Sequence, residues 1–174
     1  MEHSSHFVDV LDRTGKTVGK KRRGEIDKAH DIYKSAHILL ITPEGEPILS
    51  YIKVRDDLPN LYSNHYGATT ATIIRTGETP EEAARRAVSR ELFIDDADIR
   101  FVGESFQTMR DGKKEFVAFF YLIGDSPAIY SQTDINKLVP FSPNSLDQQI
   151  AEHRDKFAPN FDFVWHYYRS ALPL

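Results

Sequence analysis

Cysteine is absent from all 174 residues. That excludes disulfides, thiolate metal sites and cysteine nucleophiles. Long apolar runs are missing as well: the longest, such as Phe116 to Ile123, are far too short to span a bilayer. Residues Met1 to Phe7 are polar and have no apolar signal core, so no membrane partner is expected and the expected location is the cytoplasm. Neither sign of charge dominates. The formal net charge of -4 gives no ground for general nucleic-acid binding, although a local basic site can sit on an acidic protein. Repeats, low-complexity tracts and long linkers are also missing. What remains is 40% hydrophobic and 28% charged, an ordinary globular balance, read as a single domain over residues 1–174.

Short alternating segments separated by turn residues run through the first half. His6 to Leu11 reads as a strand, Asp12 to Lys16 as a turn, and Thr17 to Lys20 as the returning strand. Arg23 to His30 reads as a short helix or an irregular crossover. Ala36 to Ile41 is a buried strand, Thr42 to Glu46 a hairpin turn, Pro47 to Val54 its return, and Asp56 to Asn60 a loop. Ser63 to Thr76 should be extended. Thr79 to Leu92 is the best helix: Thr79 caps it, Pro80 fits its first turn, and Glu82 completes a capping box. Ala84, Val88 and Leu92 give it an apolar face. Strands at Ile99 to Met109 and Glu115 to Ile123 follow. Ser142 to Leu172 reads as helical, broken by Pro159. This order implies a mixed α/β (α+β) sandwich rather than a doubly wound sheet.

The informative stretch runs from Thr72 to Ile94. It resembles the box of the Nudix hydrolase superfamily: Gly, five residues, Glu, seven residues, Arg-Glu, an apolar residue, any residue, Glu-Glu, any residue, Gly and an apolar residue. Glu78, Arg86, Val88, Glu91 and Ile94 stand at family positions. Thr72 and Phe93 replace the two glycines, Ala87 the Glu of the Arg-Glu pair, and Arg90 the first Glu of the Glu-Glu pair. Pro59-Asn60-Leu61-Tyr62 and Phe157 to Phe161 resemble the branch containing isopentenyl-diphosphate isomerase. The matching region here, Tyr62 to Gly67, has no Cys, which excludes isomerase chemistry by that mechanism.

The resemblance implies a mixed β-sheet sandwiched between helices and a diphosphate-containing small molecule as ligand. It also implies magnesium or manganese as cofactor. Hard cations need carboxylate oxygens, and of positions 87, 90 and 91 only Glu91 is acidic, so weak or absent metal binding is expected. Glu91, with Arg86 and Glu78, is the catalytic set the resemblance implies, and Glu91 is its metal ligand. Lys53, Arg55 and Arg90 are the expected substrate contacts. Arg90 reads either as drift or as a guanidinium that replaces the metal's charge against phosphate. Glu104 and Glu115 are the acids outside the box that could complete a metal site, and His37 and His65 are the histidines best placed to face a cleft. Two functions stay open: a hydrolase with weakened or lost activity, or a binding or regulatory module. The aromatic cluster Phe161, Phe163, Trp165, Tyr167 and Tyr168 reads as core or as a homodimer surface.

Overall fold

In a computed structural model, which describes residues 6–54 and 62–174, the first alternating segments form an antiparallel ribbon, β1 (Phe7–Leu11) and β2 (Thr17–Arg22). Asp12 shapes its turn, accepting the backbone N–H groups of Thr14 at 2.8 Å and Lys16 at 3.1 Å. Arg23–Glu25 is a single 3₁₀ turn, so the Arg23 to His30 crossover is mostly irregular.

The main sheet is built on β3 (Tyr33–Ile41), whose apolar run is buried on both faces. One edge of β3 pairs in parallel with β8 (Lys114–Ile123) along its whole length, from Tyr33 opposite Glu115 to Ile41 opposite Ile123. The other edge is shared: β6 (Thr70–Ile73) takes the first half, and β4 (Pro47–Ile52) closes a hairpin on the second. β5 (Tyr66–Gly67) and β9 (Ile135–Pro140) pair with β4, and β7 (Arg100–Thr108) pairs with β8. Strand β9 was not anticipated from sequence.

Alternate residues of β3 serve opposite faces of the sheet. Ala36, Ile38 and Leu40 pack on α1 (Pro80–Leu92), whose Ala83, Ala84, Ala87, Val88 and Leu92 are buried. The capping box is present: Thr79 Oγ1 accepts the Glu82 N–H at 3.2 Å and Glu82 Oε2 accepts the Thr79 N–H at 2.8 Å. Leu39 and Ile41 pack on the other side with Leu146 of α2 (Pro143–Glu152) and Phe161, Val164, Trp165 and Tyr168 of α3 (Phe161–Ala171). The expected sandwich of a mixed sheet between helices is therefore the fold.

The C-terminal segment differs from its sequence reading. The helices part at His153, well before Pro159, and a 3₁₀ turn at Arg154–Lys156 leads into extended chain at Phe157. The aromatic cluster is mainly core. Phe161, Trp165 and Tyr168 are buried, and Tyr167 stacks on Phe119 with ring centroids 3.9 Å apart, while Phe163 is exposed. Among the described residues, no helix is long and apolar enough to cross a membrane.

Candidate functional site

One cavity of about 420 Å³ is lined by residues from both faces of the sheet beside β6. Thr70 and Thr72 of β6 turn toward α1, where Thr70 bonds Glu91 and Thr72 bonds Arg86. Ser35 and His37 of β3, paired with Ile73 and Ala71, turn the other way. All of these except Arg86 line the cavity.

On the α1 side, Glu91 is buried, receives the Thr70 hydroxyl, and forms an ion pair with Nη2 of Arg90. Burial raises the Glu91 carboxyl above the usual range, and the Arg90 charge pulls against that. Arg90 Nε and Nη1 are buried without a hydrogen-bond partner. Arg23, from the 3₁₀ turn, lines the same wall; burial lowers its basicity, and repulsion from Arg90 and Arg86 lowers it further.

On the other side, Glu115 is buried and accepts the hydroxyls of Tyr33 and Ser35, both at 2.8 Å. Burial raises its carboxyl too. Lys113 donates to Tyr62 Oη at 2.9 Å and lies 3.3 Å from the Asp111 carboxylate. Lys28 loses basicity through burial and then through repulsion from Lys113 and Arg23. His37 is 4% exposed and its Nδ1 has no partner. Burial lowers its pKa to about 4, so it is neutral at pH 7. Among the described residues, Arg23, Lys28, Lys53, Arg90 and Lys113 line the cavity beside Glu91, Glu115 and Asp134, five cations to three carboxylates in a chain of net charge -4.

Of the expected catalytic and substrate-contact residues, Glu91, Arg90 and Lys53 line this cavity. Lys53 donates to the Gln132 carbonyl at 2.6 Å. Arg55, like Pro59-Asn60-Leu61, lies outside the described residues. Arg86 and Glu78 are not on the cavity wall. They form a two-pronged pair at 2.7 and 2.8 Å, with Arg86 also reaching Thr72 and the Ile73 carbonyl and Glu78 accepting the Arg75 N–H. They tie the loop around Gly77 to α1. Glu115 lines the cavity; Glu104 is exposed on β7 and does not. His37 lines it; His65 instead holds the Ser63 carbonyl at 2.8 Å. Sequence reasoning missed Arg23, Lys28 and Lys113. The basic run Lys20 to Arg23 was a visible signal for the first, but turns and crossovers reveal nothing of which side chains converge.

Among the described residues, no three His, Asp or Glu side chains gather as a metal cage. Ala87 is fully buried against the sheet, Glu91 is engaged by Arg90 and Thr70, and Glu115 by Tyr33 and Ser35. A guanidinium already sits on Glu91, the one acid among positions 87, 90 and 91. This donor set does not fit a magnesium or manganese ion held by α1.

No family model matches the chain. It is 32% identical to an uncharacterized Nudix hydrolase of Rhodococcus erythropolis over 91 residues, 52% of this chain and about half (48%) of that protein. It is 24% identical to an uncharacterized Nudix hydrolase of Clostridium acetobutylicum over 163 residues, covering 84% of this chain and 78% of that one. Among solved structures, a hypothetical Nudix protein of Deinococcus radiodurans matches 94% of this chain and 98% of its own, with TM-score 0.75 and 20% identity. The Nudix domain of Shewanella oneidensis NrtR, solved with ADP ribose, matches 78% of this chain and 85% of its own, with TM-score 0.58 and 10% identity. Curated names and structural neighbours together support the Nudix hydrolase superfamily.

Proposed function

We propose that this chain is a Nudix-superfamily protein that binds a small molecule containing a diphosphate linked to another moiety, with its metal-dependent hydrolysis weakened or lost. The observation that carries the reading is Arg90. It stands where the family pattern has a metal-binding carboxylate, and it is ion-paired to Glu91, the carboxylate that remains. A metal ion lowers the pKa of bound water and so makes a nucleophile at neutral pH; a guanidinium does not. The net positive cavity supports an anionic ligand, and the ADP ribose on the Shewanella domain suggests the size and kind of molecule to try first. We also infer that the chain lies in the branch resembling isopentenyl-diphosphate isomerase. The ribbon ahead of the β3–β4 hairpin and the Phe157 to Phe161 stretch before α3 support that.

The test is a panel of diphosphate compounds, ADP ribose first, screened by thermal shift and calorimetry and assayed for phosphate-bond cleavage with magnesium and with manganese. Binding with no cleavage is the expected result. Turnover with either metal at rates of about 1 per second or more, an ordinary enzyme value, would overturn the loss of hydrolysis. A second reading has one observation behind it: Glu115 is a second buried carboxylate in the same cavity. Cleavage that Glu115→Gln abolishes would establish that alternative.

A further inference from the structure

We propose that the cavity wall on the sheet face opposite α1, built from Tyr33, Ser35, His37 and Glu115, selects the moiety joined to the diphosphate: it takes one that carries O–H or N–H donors and rejects a hydrocarbon one. The inference rests on the diphosphate reading above and names the ligand class within it. It starts from a change of character along two strands. On the β3 face turned away from α1, Leu39 and Ile41 are buried among apolar side chains of α2 and α3, but Tyr33, Ser35 and His37 precede them. β8 changes in the same way: Val117 and Phe119 are core, and Glu115 precedes them. A strand buried on both faces ordinarily reads as a continuous apolar run. Here the polar ends of two such strands lie side by side, with Tyr33 opposite Glu115, and all four residues line the cavity while being only between 3% and 6% exposed.

The hydrogen bonds already made decide what the wall still offers. Glu115 accepts the Tyr33 hydroxyl on Oε1 and the Ser35 hydroxyl on Oε2, both at 2.8 Å. Both hydroxyl protons are therefore committed. What Tyr33 and Ser35 have left is oxygen lone pairs, and each carboxylate oxygen keeps a further acceptor site. Lys113, on the same wall, spends its ammonium on Tyr62 Oη at 2.9 Å and on the Asp111 carboxylate at 3.3 Å. Nδ1 of His37 is buried without a partner. Buried polar groups are almost always paired, so an unpaired nitrogen on a residue of the wall points to a partner from outside the chain. A half-turn of the imidazole exchanges nitrogen for carbon at nearly the same shape, so the ring can present a nitrogen to a ligand without repacking. A hydrocarbon moiety would cover these acceptors and pair none of them, at a cost for each. A site built to bond an O–H or N–H rejects the analogue that lacks it.

The experiment is calorimetric titration of the full chain with ADP ribose, adenosine diphosphate and isopentenyl diphosphate. ADP ribose should bind about tenfold tighter than isopentenyl diphosphate or better, the step for a buried acceptor left unpaired. Adenosine diphosphate shows which part supplies the donors: affinity equal to that of ADP ribose assigns them to the adenosine, and weaker binding assigns them to the terminal ribose. Glu115→Gln, which turns one acceptor into a donor at the same size, should shrink the preference for ADP ribose toward one. Isopentenyl diphosphate binding as tightly as ADP ribose, or a preference that Glu115→Gln leaves intact, would overturn the selection while leaving the diphosphate reading in place. If no diphosphate compound binds, that reading falls with it. Circular dichroism of each variant identifies one that has failed to fold; Ser35→Ala, which removes one acceptor and keeps the carboxylate, then carries the same test and should narrow the same ratio.

Discussion

Phe93 ends α1 with φ 58° and ψ 35°, in the left-handed region, while its ring is largely exposed. A side chain resists that conformation and glycine does not. The pattern that the sequence resembles has glycine here, the residue this backbone conformation favours. Phe93→Gly should raise stability by about 1 kcal/mol, the order of the left-handed penalty, measured as a shift of the urea midpoint at constant slope. His37 gives a second single-residue test. Its pKa falls from 6.5 to about 4 on burial, so between those values the unfolded chain binds more protons than the folded one. Stability must then fall as pH drops through that window, and the loss is complete below pH 4. At about 1.36 kcal/mol per unit, His37 accounts for about 3 kcal/mol. The stability difference between wild type and His37→Gln should shift against the wild type by that order between pH 7 and pH 4. A difference that does not vary with pH would mean that His37 is not buried neutral. At this scale the box residues could be read directly, because identity at fixed spacing is what a sequence displays. The partners of Arg90 and the orphaned nitrogen of His37 could not, because they depend on packing between distant segments.

The loop leading into α1 is clamped by the pair Arg86 and Glu78, both mostly buried. Arg86 bonds both carboxylate oxygens and, in addition, Thr72 and the Ile73 carbonyl, so it ties helix, loop and β6 together. Lysine keeps the charge but cannot present that fork. Arg86→Lys should cost about 2 kcal/mol, the range for losing charge-assisted hydrogen bonds, read by chemical denaturation. Strand β7 offers a sharper case. A bulge at Val102 shifts its register against β8, and a methyl group on Gly103 would come within 2.2 Å of Tyr167 Oη. Tyr167 is stacked on Phe119 and cannot move away freely, so Gly103→Ala should lose about 1–3 kcal/mol, as overpacking does. A melt unchanged from wild type would show that the stack yields. Helix α1 was legible because its cap, proline and apolar spacing all agree. Strand β9 was not: Ile135 is the one buried residue of its six, and its place is fixed by pairing with β4 rather than by its own pattern.

Across the whole molecule, charge is distributed unevenly: an acidic chain encloses a cavity where, among the described residues, cations outnumber carboxylates. Anion binding there should tie ligand to stability. A ligand at about a hundred times its dissociation constant adds about 2.7 kcal/mol, so a saturating diphosphate compound should raise the melting temperature in EDTA, and raised ionic strength should erode the gain. The same chain has a strongly non-local centre. β3 runs parallel to β8 along its full length, with Tyr33 beside Glu115 and Ile41 beside Ile123. A parallel pair cannot close as a local hairpin, so during synthesis β3 waits with one edge open until residue 123 has left the ribosome. Contacts that distant in sequence slow folding. Refolding of this protein should therefore be limited by the closing of β3 on β8, and a fragment ending before Lys114 should expose that edge as a template for aggregation.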